Sequence, residues 1–175
     1  MNGPARKAGV PVTWPVLELH GHKELIQNNT IRGYPYSAIL ARSTKDLVIG
    51  SGNVLEGNGR ASDNNESGID IWNLVSNRVT NGVVIHGNTV SNNSPSIVVP
   101  GRLPFAVRFS QHDCGGAGAP PVGNCAETTD LSVITNVQVT SNQFKNMLSA
   151  SYCVMNNVMA PTGWSLQFGW ISCGI

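Results

Sequence analysis

The chain has 175 residues, which suits one domain with a sizeable core. Lys and Arg number 11 against 10 Asp and Glu, a net charge of +1. That balance argues against nucleic acid or an anionic membrane as partner, since both select a strongly basic face. No apolar run approaches the roughly 20 residues of a membrane span.

The 19 Asn and 19 Val equal the 19 Gly. Asn and Gly tolerate left-handed turns and Val prefers strands, so many short strands and tight turns are expected. Residues 1–22 carry Pro4, Pro11 and Pro15 without periodicity. They read as an arm or cap with one strand near Val16–Leu19. A basic flank is present there, but no apolar stretch of a secretory signal follows it.

From residue 23 a pattern recurs. LIQNNTI (Leu25–Ile31), LVIGSGNVL (Leu47–Leu55), VVIHGNTV (Val83–Val90) and VQVTSNQF (Val137–Phe144) each place an Asn between apolar positions. The Asn residues are Asn29, Asn53, Asn88 and Asn142, spaced 24, 35 and 54 residues apart. Two places after each come Ile31, Leu55, Val90 and Phe144; three before stand Ile26, Ile85 and Val139. In the second repeat Ile49 lies four before, which implies one extra residue at Gly50–Gly52. Period-2 alternation sends the apolar positions inward.

A second strand family precedes these: Ser37–Arg42, Gly68–Asn73 and Ala106–Gln111. Aligned by pattern, Ala38, Ile69 and Val107 share one inward position, and Leu40, Ile71 and Phe109 the next. Ile39, Asp70 and Arg108 then form an outward column, followed by Ala41, Trp72 and Ser110.

Two strand segments per turn of about 24 residues predict an all-β chain, a short right-handed parallel β-helix with loop insertions. Its rungs would stack about 4.8 Å apart, close enough for interior Asn amides to form a hydrogen-bonded ladder. An antiparallel sandwich also has many short strands, but it has no need for Asn at matched corners. The expected division is an arm at 1–22, rungs over 23–147, and an incomplete rung with a cap at 148–175. The insertions are Gly57–Ser67, Ser91–Pro104 and His112–Asp130.

Four Cys occur: Cys114, Cys125, Cys153 and Cys173. Their spacing is not that of a metal knuckle, and disulfides are the expectation, most simply Cys114–Cys125 and Cys153–Cys173. Bridges need an oxidising compartment, so an extracellular or periplasmic location is expected, with the leader outside this sequence or the chain a fragment of a longer protein. Free thiols are the alternative.

LVIGSGNVLEGN and VVIHGNTVSNN, with LIQNNTI and VQVTSNQF as weaker copies, resemble the right-handed parallel β-helix superfamily, the pectate-lyase-like proteins. The likeness covers Glu24–Met147. It implies a fold whose members include polysaccharide lyases, glycoside hydrolases, epimerases, phage tailspikes and adhesins. The paired Asp with Gly-His-Gly of the hydrolases and the Asp-Pro-His-Asp of the alginate epimerases are not in this sequence.

Candidate site residues follow from the outward columns. Stacking would bring Asp70 and Arg108 within salt-bridge reach. Functionally, Arg108 would clamp or deprotonate a uronate beside Asp70 as acid or base; structurally, the two are a surface ion pair worth under about 1 kcal/mol. Trp72 would stack on a sugar ring or pack under a loop. His112 is a candidate acid/base, with Asp113 and His86 as binding residues; satisfying turn backbone is the plainer role. No metal site converges and no cofactor is expected, although Asp63 and Glu66 supply oxygens of the kind Ca²⁺ takes.

Two functions are expected in parallel. One is binding or cleaving an acidic polysaccharide, by lyase or hydrolase chemistry. The other is a non-catalytic structural or adhesive module that forms a homo-oligomer through solenoid ends or faces.

Overall fold

A computed structural model of the chain describes residues 16–34, 36–58, 68–73, 79–91, 106–113, 126–128, 134–145, 152–154 and 165–166. Of 110–113, 126–128, 152–154 and 165–166 it describes the backbone alone. Every element among them is a strand. No helix among the described residues is long and apolar enough to cross a membrane.

The chain visits three sheets in rotation. The first turn supplies β1 (Leu17–Leu19), β2 (Leu25–Ile26) and β3 (Thr30–Arg32). The second supplies β4 (Ile39–Arg42), β5 (Val48–Ile49) and β6 (Val54–Glu56). The third supplies β7 (Ile69–Asn73), β8 (Thr80–His86) and β9 (Thr89–Ser91). The fourth supplies β10 (Val107–Asp113), then β11 (Ala126–Thr128), β12 (Ile134–Thr140) and β13 (Gln143–Lys145). In this turn β11 returns on β10 in the first sheet before the second is reached. Then come β14 (Tyr152–Val154) and β15 (Ser165–Leu166). The first sheet runs β1-β4-β7-β10-β11, with β14 also on β10; the second β15-β12-β8-β5-β2; the third β13-β9-β6-β3. Among the described residues all strand pairings are parallel except β10 with β11. Three parallel sheets visited in rotation are the arrangement expected of a parallel β-helix.

The core lies between the sheets. Ile39, Ala41, Ile69, Ile71, Val107 and Phe109 fill it from the first sheet, and Leu47, Ile49, Val83, Ile85, Val137 and Val139 from the second. Ile31, Leu55 and Val90 close it from the third, with Phe144 packed partly against them. These third-sheet positions are those predicted two residues after each Asn.

The corner between the second and third sheets repeats in detail. Asn28, Gly52, Gly87 and Ser141 all have positive φ, between 56° and 80°, and each directly precedes a ladder Asn. A left-handed residue there turns the chain so that the next side chain enters the interior. A second left-handed column, Lys23, Asp46, Gly82 and Asn136, lies two residues before the paired positions Leu25, Val48, Val84 and Gln138. The extra residue of the second repeat sits in the turn at Ser51, whose carbonyl accepts from Asn28 N at 3.2 Å.

One register differs from expectation. Ile39, not Ala38, pairs with Ile69, so Leu40 lies beside Asp70 and Arg42 beside Trp72. A one-residue slip moves every side chain to the other face. The observed register sets Ile39, Ile69 and Val107 in one core column, which fills more volume than Ala38 would. The β7–β10 register agrees with expectation: Ile69 pairs with Val107 and Asp70 with Arg108.

Candidate functional site

The Asn ladder is present over all four turns. Asn29 Nδ2 donates to Asn53 Oδ1 at 3.2 Å, Asn53 Nδ2 to Asn88 Oδ1 at 2.8 Å, and Asn88 Nδ2 to Asn142 Oδ1 at 3.0 Å. The same amides also donate to backbone carbonyls: Asn53 to Ile26 and Gly50, Asn88 to Ile49 and His86, Asn142 to Ile85. Buried corner carbonyls, which would otherwise lose their water, are thereby satisfied. Asn58 does similar work at the next corner, donating to Ile31 O and accepting from Tyr34 N.

The outward face of the first sheet holds the chemical candidates. Asp70 and Arg108 meet there as the stacked strands require, but the pair is not at the surface. Their side chains are 0% and 3% exposed. Arg108 Nε donates to Asp70 Oδ1 at 2.5 Å, and Ser37 Oγ donates to Asp70 Oδ2. Ser37 is itself buried. The surface ion pair expected from sequence is therefore a buried one. Removing one partner of such a pair strands a charge away from water.

Trp72 stands one alternation further along the same face and is half-buried. Guanidinium groups approach its ring from the strands on either side: Arg42 at 5.2 Å and Arg108 at 5.6 Å from the centroid. Cations over an indole are attracted by its electron-rich face. The ring thus has protein cations packed against it. Glu18 completes the network, 3.0 Å from both Arg42 Nε and His20 Nε2. The Arg42 Nε–H is not aligned along its contact, so this is an ion pair rather than a hydrogen bond.

Ser37, Glu18 and Arg42 were not singled out from sequence. The corrected register supplies the signal for the latter two, since Glu18 pairs with Leu40 and Arg42 with Trp72 on the outward face.

His112 and Asp113 lie on β10, paired in backbone register with Glu127 and Ala126 of β11. His86 is on the outward side of the second sheet, where its Nε2 lies 3.6 Å from the place a Cβ on Gly50 would take. It belongs to a different sheet from Asp70, Trp72 and Arg108. Cys153 lies on β14 opposite Arg108; its side chain, Cys114, Cys125 and Cys173 fall outside the described residues, as do Asp63 and Glu66. Among the described residues no His, Cys, Asp and Glu converge as a metal site.

No family model, no curated protein and no solved structure matches this chain.

Proposed function

We propose that this chain is a non-catalytic structural or adhesive module of the right-handed parallel β-helix, pectate-lyase-like kind, a segment of a fibre, spike or self-assembling surface protein. The observation that carries the reading is the commitment of Asp70. One carboxylate oxygen takes Arg108 and the other takes Ser37, with the pair out of contact with water. A general acid or base must reach a substrate proton, and both oxygens here are engaged inside the protein. The interior bonds point the same way, because an amide ladder reinforces each turn with its neighbours as repeat scaffolds require. Disulfides and an extracellular location suit such a module, and the reading invokes no cofactor.

The test is incubation with a panel of uronans, following unsaturated ends by ultraviolet absorbance and new reducing ends, beside light scattering of the protein alone. The module reading expects no product and discrete oligomers or filaments. Product that disappears with Arg108→Ala in a folded protein overturns it.

A second reading keeps the polysaccharide as ligand without cleavage. Its support is the pair Arg42 and Trp72, both half-buried at the surface. A guanidinium stacked on an indole can offer its N–H groups to a carboxylate, a role Glu18 already takes at Arg42 Nε and a uronate would share or replace. Retention on immobilised polyuronate that is lost with Arg42→Ala favours this reading; flow-through at low salt rejects it.

A further inference from the structure

Three Asn-Gly steps occur in the chain: Asn2–Gly3, Asn58–Gly59 and Asn81–Gly82. In such a step the Gly nitrogen can attack the Asn side-chain carbonyl carbon, because no side chain shields the nitrogen. What decides between steps is how the Asn amide is held.

Asn58 is buried and held at both ends, its Nδ2 donating to Ile31 O at 3.0 Å and its Oδ1 accepting from Tyr34 N at 3.1 Å. Asn81 is half-buried and held differently. Its Oδ1 accepts from Thr135 Oγ1 at 3.0 Å and from Asn136 Nδ2 at 2.6 Å. Two donors on one carbonyl oxygen draw electron density from Cγ and stabilise the charge that grows on the oxygen during attack. No acceptor among the described residues holds Asn81 Nδ2, the group that must leave. Asn53 and Asn88, in contrast, each commit Nδ2 to three acceptors. Asp46 stands beside Gly82: a Cβ on Gly82 would lie 2.9 Å from Asp46 Oδ1. Its carboxylate is a nearby base for the proton that the Gly82 amide must lose. Asn136 is exposed, so water reaches the site.

We propose that Asn81–Gly82 is a self-modification site. Gly82 N bonds to Asn81 Cγ, the Cγ–Nδ2 bond breaks, and ammonia departs carrying the Gly82 amide proton. Water then opens the succinimide to aspartate or isoaspartate, with no change of oxidation state. An isoaspartyl link adds one atom to the main chain at the entry to the second sheet. It also disturbs the contacts Asn81 N to Thr44 O and Asp46 N to Asn81 O that tie the second and third turns. The inference is independent of the function proposed above.

The test is storage of the folded protein in mildly alkaline buffer, then peptide mapping by mass spectrometry with isoaspartate detection at Asn58 and Asn81. Conversion at Asn81 should exceed that at Asn58 on the order of tenfold, less than the roughly hundredfold that one such donor gives inside an enzyme. In denatured protein the two rates should converge. Asn136→Gly removes a donor while keeping the positive φ of 53°, and Thr135→Val removes the other. Together they should slow Asn81 severalfold; Asn136→Gly alone, at an exposed residue, serves if the double variant does not fold. Equal rates at Asn58 and Asn81 in the folded protein, or an unchanged Asn81 rate in the folded variant, would overturn the proposal.

Discussion

Asn53 Nδ2 donates to Asn88 Oδ1 at 2.8 Å, although 35 residues of chain separate them. The contact exists because both residues follow a left-handed glycine, Gly52 and Gly87, at the same corner of successive turns. Asn88 is at the centre of this network: it accepts from Asn53 and donates to Asn142, Ile49 O and His86 O. Asn88→Ala should therefore destabilise by about 3 kcal/mol, since each buried polar partner left unmade costs roughly 1–3 kcal/mol and partial relaxation recovers some. Asn29→Ala, at the half-buried end, should cost under about 1 kcal/mol. Urea unfolding midpoints of the two variants check the contrast.

The Asp70–Arg108 pair should behave as a buried one. Arg108→Met alone should cost about 3–5 kcal/mol because it strands Asp70. Asp70→Leu combined with Arg108→Met should recover most of that loss, since two apolar side chains replace two charges. A double-mutant cycle by chemical denaturation measures the coupling; near-additive costs would place the pair in solvent instead.

Much of this was legible in the sequence, and the boundary of legibility is physical. The ladder could be read because one residue type at one corner leaves the same mark in every turn. The face of β4 could not, because Ala38, Ile39, Leu40 and Ala41 are all apolar and alternation says nothing in an unbroken apolar run. Asp70 and Arg108 could be paired from register, but sequence carries no signal for whether water reaches them. The left-handed column through Lys23, Asp46 and Asn136 was hidden because only Gly82 advertises its backbone.

A side chain at Gly52 should carry a cost, although Asn28 and Ser141 hold the same left-handed corner in other turns. Its φ is +80°, and a Cβ there would run into Asn28 Oδ1. Gly52→Ala should cost more than the roughly 1 kcal/mol of left-handed strain alone, because Asn28 must also move. Gly33→Ala supplies the comparison, with φ +70° and nothing within 4 Å of the new Cβ. Thermal unfolding of the two variants should differ, with Gly52→Ala melting lower; equal midpoints would contradict the close approach.

Trp72 should report on its flanking cations. Loss of Arg42 by substitution to Met should expose more of the ring and lower stability by about 0.5–1 kcal/mol, the scale of one partly exposed cation–π contact. Iodide quenching of emission is confounded by the other three Trp, so the difference between Arg42→Met and Arg42→Met with Trp72→Phe isolates the effect. No change in quenching between these variants and their parents would contradict the contact.

The most direct measurement is nuclear magnetic resonance of the side-chain amides of Asn29, Asn53, Asn88 and Asn142. In-register stacking predicts an unbroken chain of proton–proton contacts from each Asn amide to the next, with slow solvent exchange at Asn53 and Asn88, the two in mid-ladder. Rapid exchange at Asn53 and Asn88 without contacts between them would contradict the stacked turns on which every other assignment depends.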